Sequence, residues 1–313
     1  MMKDNNSPTT LQQAIQYFSD DLLCIKFFAA MRWVDGVARC PKCQNTETSF
    51  LSTRKIWKCK ACKKQFSVKV GTIFEDSPIG LDKWLCAIWL ISNAKNGISS
   101  YEIHRALGVT QKTAWFMMHR IRVAMQTGSI EKLSGNVECD ETFIGGAAKN
   151  MHKAKREAKI KGRGSVGKTA VMGLLERKGR VMAKVIANTT RATLHGEIKG
   201  NVEQGANLFT DEWRSYQGLA DEYTHEIINH SIEYVRGNVH TNGIENFWSL
   251  LKRTIKGTYV SVEPFHLSRY LDEQTFRFNE RKGNDKDRFI KTLENVTGRR
   301  LTYKELIGES LPC

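Results

Sequence analysis

The sequence predicts a multidomain α+β protein with a small cysteine-built module, a helical region, and a larger α/β domain in its second half. Three observations carry that expectation. Two CxxC pairs stand close together near the N-terminus. A stretch with helical periodicity and turn glycines follows them. After a break rich in Gly and Ser at Thr127–Asn136, apolar runs of strand length alternate with amphipathic helical patterns.

Composition narrows the function class. The 313 residues hold 48 Lys and Arg against 33 Asp and Glu, a formal charge of +15. A surplus that size favours polyanions, nucleic acid first; the bland alternative is a merely soluble basic protein. Met1–Thr10 is polar, so no secretory leader is expected. The longest apolar run, Trp84–Ser92, falls far short of the roughly 18 residues of a membrane span, and no membrane partner is expected. Four of the eight cysteines form CxxC pairs and the others (Cys24, Cys86, Cys139, Cys313) are scattered. That is a metal pattern in a reducing, cytoplasmic compartment rather than a disulfide framework.

Residues 1–33 read as an N-terminal helical segment, with Ser19 and Asp20 as caps for a second short helix. Residues 34–76 hold CPKC (Cys40, Cys43) and CKAC (Cys59, Cys62), with fifteen residues between the pairs. Two thiolate pairs on tight turns joined by a hairpin make a tetrahedral cage for structural Zn²⁺, a zinc ribbon. SFLSTRKIWKCK and KQFSVKVGTIF alternate as strands do. Residues 77–128 read as a helix (Leu81–Ile91), then helix, turn, helix. Ser99 or Ser100 caps the first of that pair, Gly108 makes the turn, and Thr110 caps the second. A DNA-binding helix-turn-helix would present Gln111, Lys112 and Trp115 to base edges; helix pairs of this kind also occur in ordinary cores.

Residues 134–285 read as the α/β domain. VECDETFIG is its first strand, KTAVMGLLER and GRVMAKVIA a hairpin, Thr193–Val202 a helix, ANLFTDEW and HEIINH two strands, and Asn242–Ile255 and Phe265–Asn279 two helices. Residues 149–168 interrupt this domain with eight Lys or Arg and one acid. Lys153, Lys155, Arg156, Lys161, Arg163 and Lys168 make it a basic arm expected to order on a phosphate backbone; a solvated loop is the alternative. Within it GRGSVGKT matches the Walker A pattern, but that motif needs a preceding strand and a following helix. A polybasic run precedes it here and a strand-like run comes after it, so nucleotide binding is rejected. Residues 286–313 read as a basic, partly helical tail packing on the α/β domain.

Three acids draw attention. Asp140 lies mid-strand, Asp211 at a strand end, and Glu245 in the first turn of a helix. Each has a dull reading as a cap or dipole-favoured acid. Converged, as an RNase H-like fold can bring them, they would repel strongly without cations. Two Mg²⁺ (or Mn²⁺) ions would relieve the repulsion and support in-line phosphoryl transfer. Lys252 lies two helical turns beyond Glu245 and could hold DNA beside the metals, with Arg253 next to it. Strand alternation sets Glu138 and Asp140 on one face and Glu141 on the other.

With these motifs in place, the chain resembles the insertion-sequence transposases of the IS1595 type, the ISXO2-like group. The resemblance rests on CPKC…CKAC, VECDETFIGG, GRGSVGKTAVMG, LFTDEWRSY and VHTNGIENFWSLLKRTIKGTY. It implies an RNase H-like DDE transposase that cuts and joins DNA at its element's ends, with catalytic roles carried onto Asp140 and Asp211. Members vary at the third position, with Asn or His in place of Glu. Here Glu245 has the carboxylate and the offset to Lys252, and Asn242 and His240 are near enough to be ligands. The implied partners are terminal inverted repeats and target DNA, with a dimer or larger assembly on the bacterial nucleoid. The rivals are a DNA-binding regulator with a dead nuclease centre and a metal-dependent nuclease that does not join.

Overall fold

The structure is a computed structural model that describes residues 7–126, 128, 131–146, 152–159, 166–212, 214–228 and 240–309. It divides into two compact units: Met1–Gln126 together with Glu280–Cys313, and Thr127–Asn279.

The first unit opens with α1 (Leu11–Tyr17) and α2 (Asp21–Arg32). Thr10 and Gln13 form a capping box on α1, and the Asp20 carboxylate accepts from Leu23 N on α2, which satisfies amides that the first helical turns leave orphaned. Strands β1 (Thr48–Leu51), β2 (Ile56–Cys59) and β3 (Gln65–Phe66) form an antiparallel sheet with Trp57 opposite both Phe50 and Phe66. The strand expected to continue from Gln65 stops at Phe66. Residues 67–75 instead run through successive turns, with Val70 N bonded to Ser67 O, Thr72 N to Lys69 O and Glu75 N to Thr72 O. The Ser67 and Thr72 hydroxyls accept from Lys69 N and Phe74 N. Side-chain bonds to nearby backbone offer the chain an alternative to a strand ladder, and the alternation of apolar residues there buries Val68, Ile73 and Phe74 from turns.

Helix α3 (Leu81–Asn93) buries Trp84, Leu85, Ile88 and Trp89. Helices α4 (Ser100–Leu107) and α5 (Gln111–Met125) come next, joined through Gly108 at φ 58°, a left-handed position that suits glycine. Ser99 closes a capping box with Glu102, and Thr110 accepts from Thr113 N. Of the face expected to be apolar, Ile103, Val109, Ala114, Met117 and Ile121 are buried, while Leu107 is half-buried.

The second unit is built on a five-stranded sheet. Its strands are β4 (Asn136–Ile144), β5 (Thr169–Glu176), β6 (Val181–Ile186), β7 (Asn207–Asp211) and β8 (Thr224–Ile228), in the order β6-β5-β4-β7-β8. β6, β5 and β4 pair antiparallel, and β4, β7 and β8 pair parallel. Helix α6 (Lys153–Lys159) lies within the segment expected to be an unstructured arm; KAKREAK consists entirely of strong helix formers. Helix α7 (Arg191–Asn201) puts Leu194 and Ile198 in one core with Val137, Cys139 and Leu208. On the other face α8 (Asn242–Thr254) and α9 (Leu267–Asn279) bury Ile244, Phe247, Trp248, Leu251 and Leu271 with Val171 and Leu175. The sheet is therefore covered on both faces, as parallel pairing demands.

The C-terminal stretch corrects an expectation. The α/β unit ends at Asn279 rather than 285, and the chain from Glu280 onward packs within the first unit. On α10 (Asp285–Glu294), Phe289 meets the rings of Phe18, Phe27 and Trp89 at 5.1–6.3 Å between centroids. The Thr292 hydroxyl bonds Ser92 at 2.9 Å, and Arg120 donates to Leu301 O. A short α11 (Tyr303–Ile307) closes the chain. Among the described residues no helix is long and apolar enough to cross a membrane.

Candidate functional site

Two centres emerge. In the ribbon, Cys40, Cys43, Cys59 and Cys62 bring their sulphurs within 4.8 Å of one another. Cys40 Sγ lies 3.6 Å from Cys62 Sγ, and Cys43 Sγ lies 3.6 Å from Cys59 Sγ. A tetrahedral zinc with bonds of about 2.3 Å needs sulphurs roughly 3.8 Å apart, so the donor set fits Zn²⁺. Each knuckle turns the same way: Gln44 and Lys63, the residues just after each pair, stand at φ 59° and 60°.

The second centre lies on β4 and β7. The parallel register pairs Val137 with Leu208 and Glu138 with Phe209, so Asp140 and Asp211 sit at the same level on neighbouring strands. Alternation turns both toward the face that α8 covers. Burial first, then the charges of Glu141 and Asp211, push the Asp140 carboxyl from 3.8 up to about 7. Glu141 points to the α7 face, where Tyr216 OH donates to it at 2.5 Å. It does not leave the cluster, however, because Asp211 raises its pKa in addition to burial. This crowding of carboxylates is the condition a divalent cation relieves, so Asp140 and Asp211 fit Mg²⁺. Glu245 is exposed on the first turn of α8 and accepts from the Thr241 hydroxyl at 3.1 Å. Among the described residues Asp140, Asp211 and Glu245 do not close to the mutual distances the four cysteines reach.

Glu138 is buried and held at both carboxylate oxygens. Its Oε1 accepts from Arg177 Nε at 2.8 Å and its Oε2 from Ile244 N at 2.9 Å. The second bond caps α8, whose own cap residue Thr241 supplies none. Arg177 also donates to His240 O and lies over the Phe209 ring at 3.9 Å. His240 Nδ1 lies 3.3 Å from Glu138 Oε1 but makes no hydrogen bond. His240 joins this clamp through its backbone carbonyl, and Asn242 is exposed at the start of α8.

The clamp draws α8 close to the sheet. A Cβ on Gly243 would meet Leu175 Cδ2 at 2.5 Å and Glu138 Oε2 at 2.8 Å. Gly243→Ala is therefore expected to lower unfolding free energy by about 1–3 kcal/mol through overpacking, read as a reduced denaturant midpoint. An unchanged midpoint would show that α8 does not need this approach.

Asp140 has two fixed donors. Glu141 N donates to its Oδ1 at 2.8 Å, and Trp248 Nε1 donates to its Oδ2 at 2.9 Å. Directly across the ladder from Asp140 is Gly173, and a Cβ there would meet Trp248 Cζ2 at 2.5 Å. The sequence pattern sets Trp248 on the apolar face of its helix, where it is buried, but sequence reasoning passed over its bond to Asp140 and the parts played by Gly173 and Arg177. The signal for one was present, since a lone glycine inside the apolar run AVMGLLE marks a close approach.

The residues expected at DNA divide. Lys252 and Arg253 are exposed on the last turn of α8, and Lys153, Arg156 and Lys168 are exposed. Lys155 lies within α6. Lys161 and Arg163 lie outside the described residues. On α5, the Gln111 amide donates to Ser100 and Lys112 Nζ lies 5.1 Å over the Tyr303 ring. Trp115 packs edge-on against His119. Thr169, which ends the Walker-like string, opens strand β5 rather than a helix, and the string's first residues lie outside the described ones.

Comparison with known proteins finds two family matches along the chain. Residues 132–279 match the ISXO2-like transposase domain, and residues 19–65 match the transposase zinc-ribbon domain. The chain is 27% identical to an "uncharacterized protein in transposable element ISH50" of Halobacterium salinarum over 254 residues, 76% of this chain and 84% of that protein. It is 35% identical to an "uncharacterized transposase-like protein" of Haemophilus influenzae over 103 residues, 33% of this chain and 83% of that one. Among solved structures, a chain of a simian T-cell lymphotropic virus intasome in complex with the PP2A regulatory subunit B56 gamma aligns at 14% identity and a TM-score of 0.27. The alignment covers 55% of this chain and 63% of that one, less than two thirds of its length, and a likeness this slight carries no argument.

Proposed function

This chain belongs to the ISXO2-like transposase family, and from that premise we propose that it cleaves DNA at the 3′ ends of its element and joins them to target DNA. The observation that carries the reading is the placement of Asp140 and Asp211 at one level on adjacent parallel strands, facing α8, with Asp211 close enough to raise the Asp140 pKa. The strand order, an antiparallel trio continued by two parallel strands through β4, supports an RNase H-like catalytic domain.

Asp140 and Asp211, with Glu245 from α8 as the third acid, would hold the Mg²⁺ (or Mn²⁺) ions; Asn242 and His240 are the alternatives. Such ions, when bound, lower the pKa of the attacking water or 3′-hydroxyl and stabilise the leaving oxygen. The chain's own side chains do the rest. Lys252 and Arg253 hold phosphates beside the acids, and the basic residues Lys153, Lys155, Arg156, Lys161, Arg163 and Lys168 track the backbone further out. The zinc ribbon and the α4–α5 pair bind the terminal inverted repeats, Gln111 and Lys112 among their contacts. Two ends must be held together, so the working form is a dimer or larger.

A cleavage assay on uncut end DNA and a strand-transfer assay on pre-cleaved end DNA, both with Mg²⁺, test this. Joined product is expected from wild type, and loss of both cleavage and joining from Asp211→Ala. Cleavage without any joining by wild type would leave a nuclease. End binding with neither reaction would leave a regulator.

A further inference from the structure

We propose that Trp248 is a positioning residue for the Asp140 carboxylate, fixing its orientation for a divalent cation, and that Gly173 is the clearing in the sheet through which the indole reaches it. The inference rests on the reading of Asp140 as a metal ligand.

A carboxylate has about four acceptor sites. Trp248 Nε1 takes one on Oδ2 and Glu141 N takes one on Oδ1. Two donors on different oxygens, one from a buried ring and one from backbone, leave the carboxylate a single orientation with a lone pair free on each oxygen. Such outer partners hold ligands in geometry and tune their strength as donors.

The bland reading is that a buried Trp simply found an acceptor for its N–H. Three features argue for more. The ring is almost fully buried, in a cluster with Ile244, Phe247 and Leu251, so its position is set by packing and not by the hydrogen bond. Next, β5 holds a single glycine, and the register places it opposite Asp140. Glycine inside a strand weakens it, yet any side chain there would collide with Trp248 Cζ2 at 2.5 Å and with Ile244 Cδ1 at 2.7 Å. Finally, the Glu138 bond to Ile244 N fixes the helix turn just before Trp248. Strand, helix cap and glycine thus act together on one bond.

The test is Mn²⁺ binding to the full-length, zinc-loaded chain by calorimetry, with thermal melts to establish folding. Trp248→Phe keeps an aromatic ring and removes the donor. It is expected to weaken Mn²⁺ affinity about ten- to a hundred-fold. Gly173→Ala, which displaces the ring and leaves its N–H intact, is expected to weaken it too, and it carries the test if Trp248→Phe does not fold. Phe247→Leu, a loss of core on the same turn, is expected to leave the affinity unchanged. Wild-type affinity in folded Trp248→Phe and Gly173→Ala, or an equal loss in Phe247→Leu, would overturn the proposal. Wild-type affinity in Asp140→Ala would overturn the metal-site reading itself and this proposal with it.

Discussion

Asp140→Asn is expected to abolish cleavage and joining while making the metal-free protein more stable at neutral pH. The folded carboxyl titrates near 7 against 3.8 ordinarily, so the native state binds the proton more tightly than the unfolded chain does. The sign comes from proton linkage: between those two values the folded state carries more protons, and stability falls as pH rises, levelling off above about 7. Three units correspond to a ceiling of about 4 kcal/mol; the amide offers one acceptor oxygen to the two donors Glu141 N and Trp248 Nε1, so one of these bonds is lost, and a net gain of about 1–3 kcal/mol is expected in Asp140→Asn. Chemical denaturation from pH 4 to pH 8 without divalent ions checks it. The wild-type curve should decline and the variant's should be flatter. Added Mg²⁺ should then stabilise wild type and leave the variant unmoved. A variant less stable than wild type at pH 8 would mean that Asp140 is ionised at no cost in the empty fold.

Loss of zinc is the other large effect. Around the cage itself the apolar contacts are chiefly the rings of Trp33, Phe50, Trp57 and Phe66, too few for a module of this size to hold its shape unaided. Structural zinc in comparable modules contributes an apparent 10–16 kcal/mol at pH 7, on the order of the whole stability of a domain. Cys59→Ser removes a fully buried sulphur from the end of β2. We expect the variant to lose its metal, to become protease-sensitive between residues 34 and 76, and to lose end-DNA binding. The sheet of Thr127–Asn279 should persist, since the cage shares no residue with it. Metal content by atomic absorption and limited proteolysis read this directly. One zinc per chain in a protease-resistant variant would show that three sulphurs suffice.

Much of this architecture was legible because its causes are local. The cysteine cage comes from spacing, and the caps at Asp20, Ser99 and Thr110 come from side chains that serve amides three residues away. The facing of Glu138 and Asp140 comes from strand period alone. The features that escaped depend on partners distant in sequence. Trp248 and Asp140 are 108 residues apart, and nothing near Trp248 announces an acceptor. Phe289 reads as an ordinary amphipathic position until Phe18 and Trp89 are placed around it. The 67–75 segment shows the opposite failure: its alternation is real, but hydroxyls bonding their own backbone turn it into a chain of bends. Glu141 lies between the cases, since its face was legible and its electrostatic tie to Asp211 across a strand end was not.

The return of the chain to its first unit sets an order on synthesis. Between Trp89, the last ring of the pocket to be made, and the Phe289 that fills it lie 199 residues, all of Thr127–Asn279 among them. At 5–20 residues per second a ribosome needs roughly 10–40 s to cross that gap. The α/β unit is contiguous and can close as it emerges. The N-terminal unit must wait through that interval with its aromatic pocket open, and a chain released before α10 never completes it. Such a nascent or truncated product would carry a finished sheet beside an unfinished pocket, and that pocket is where chaperone capture or aggregation would begin.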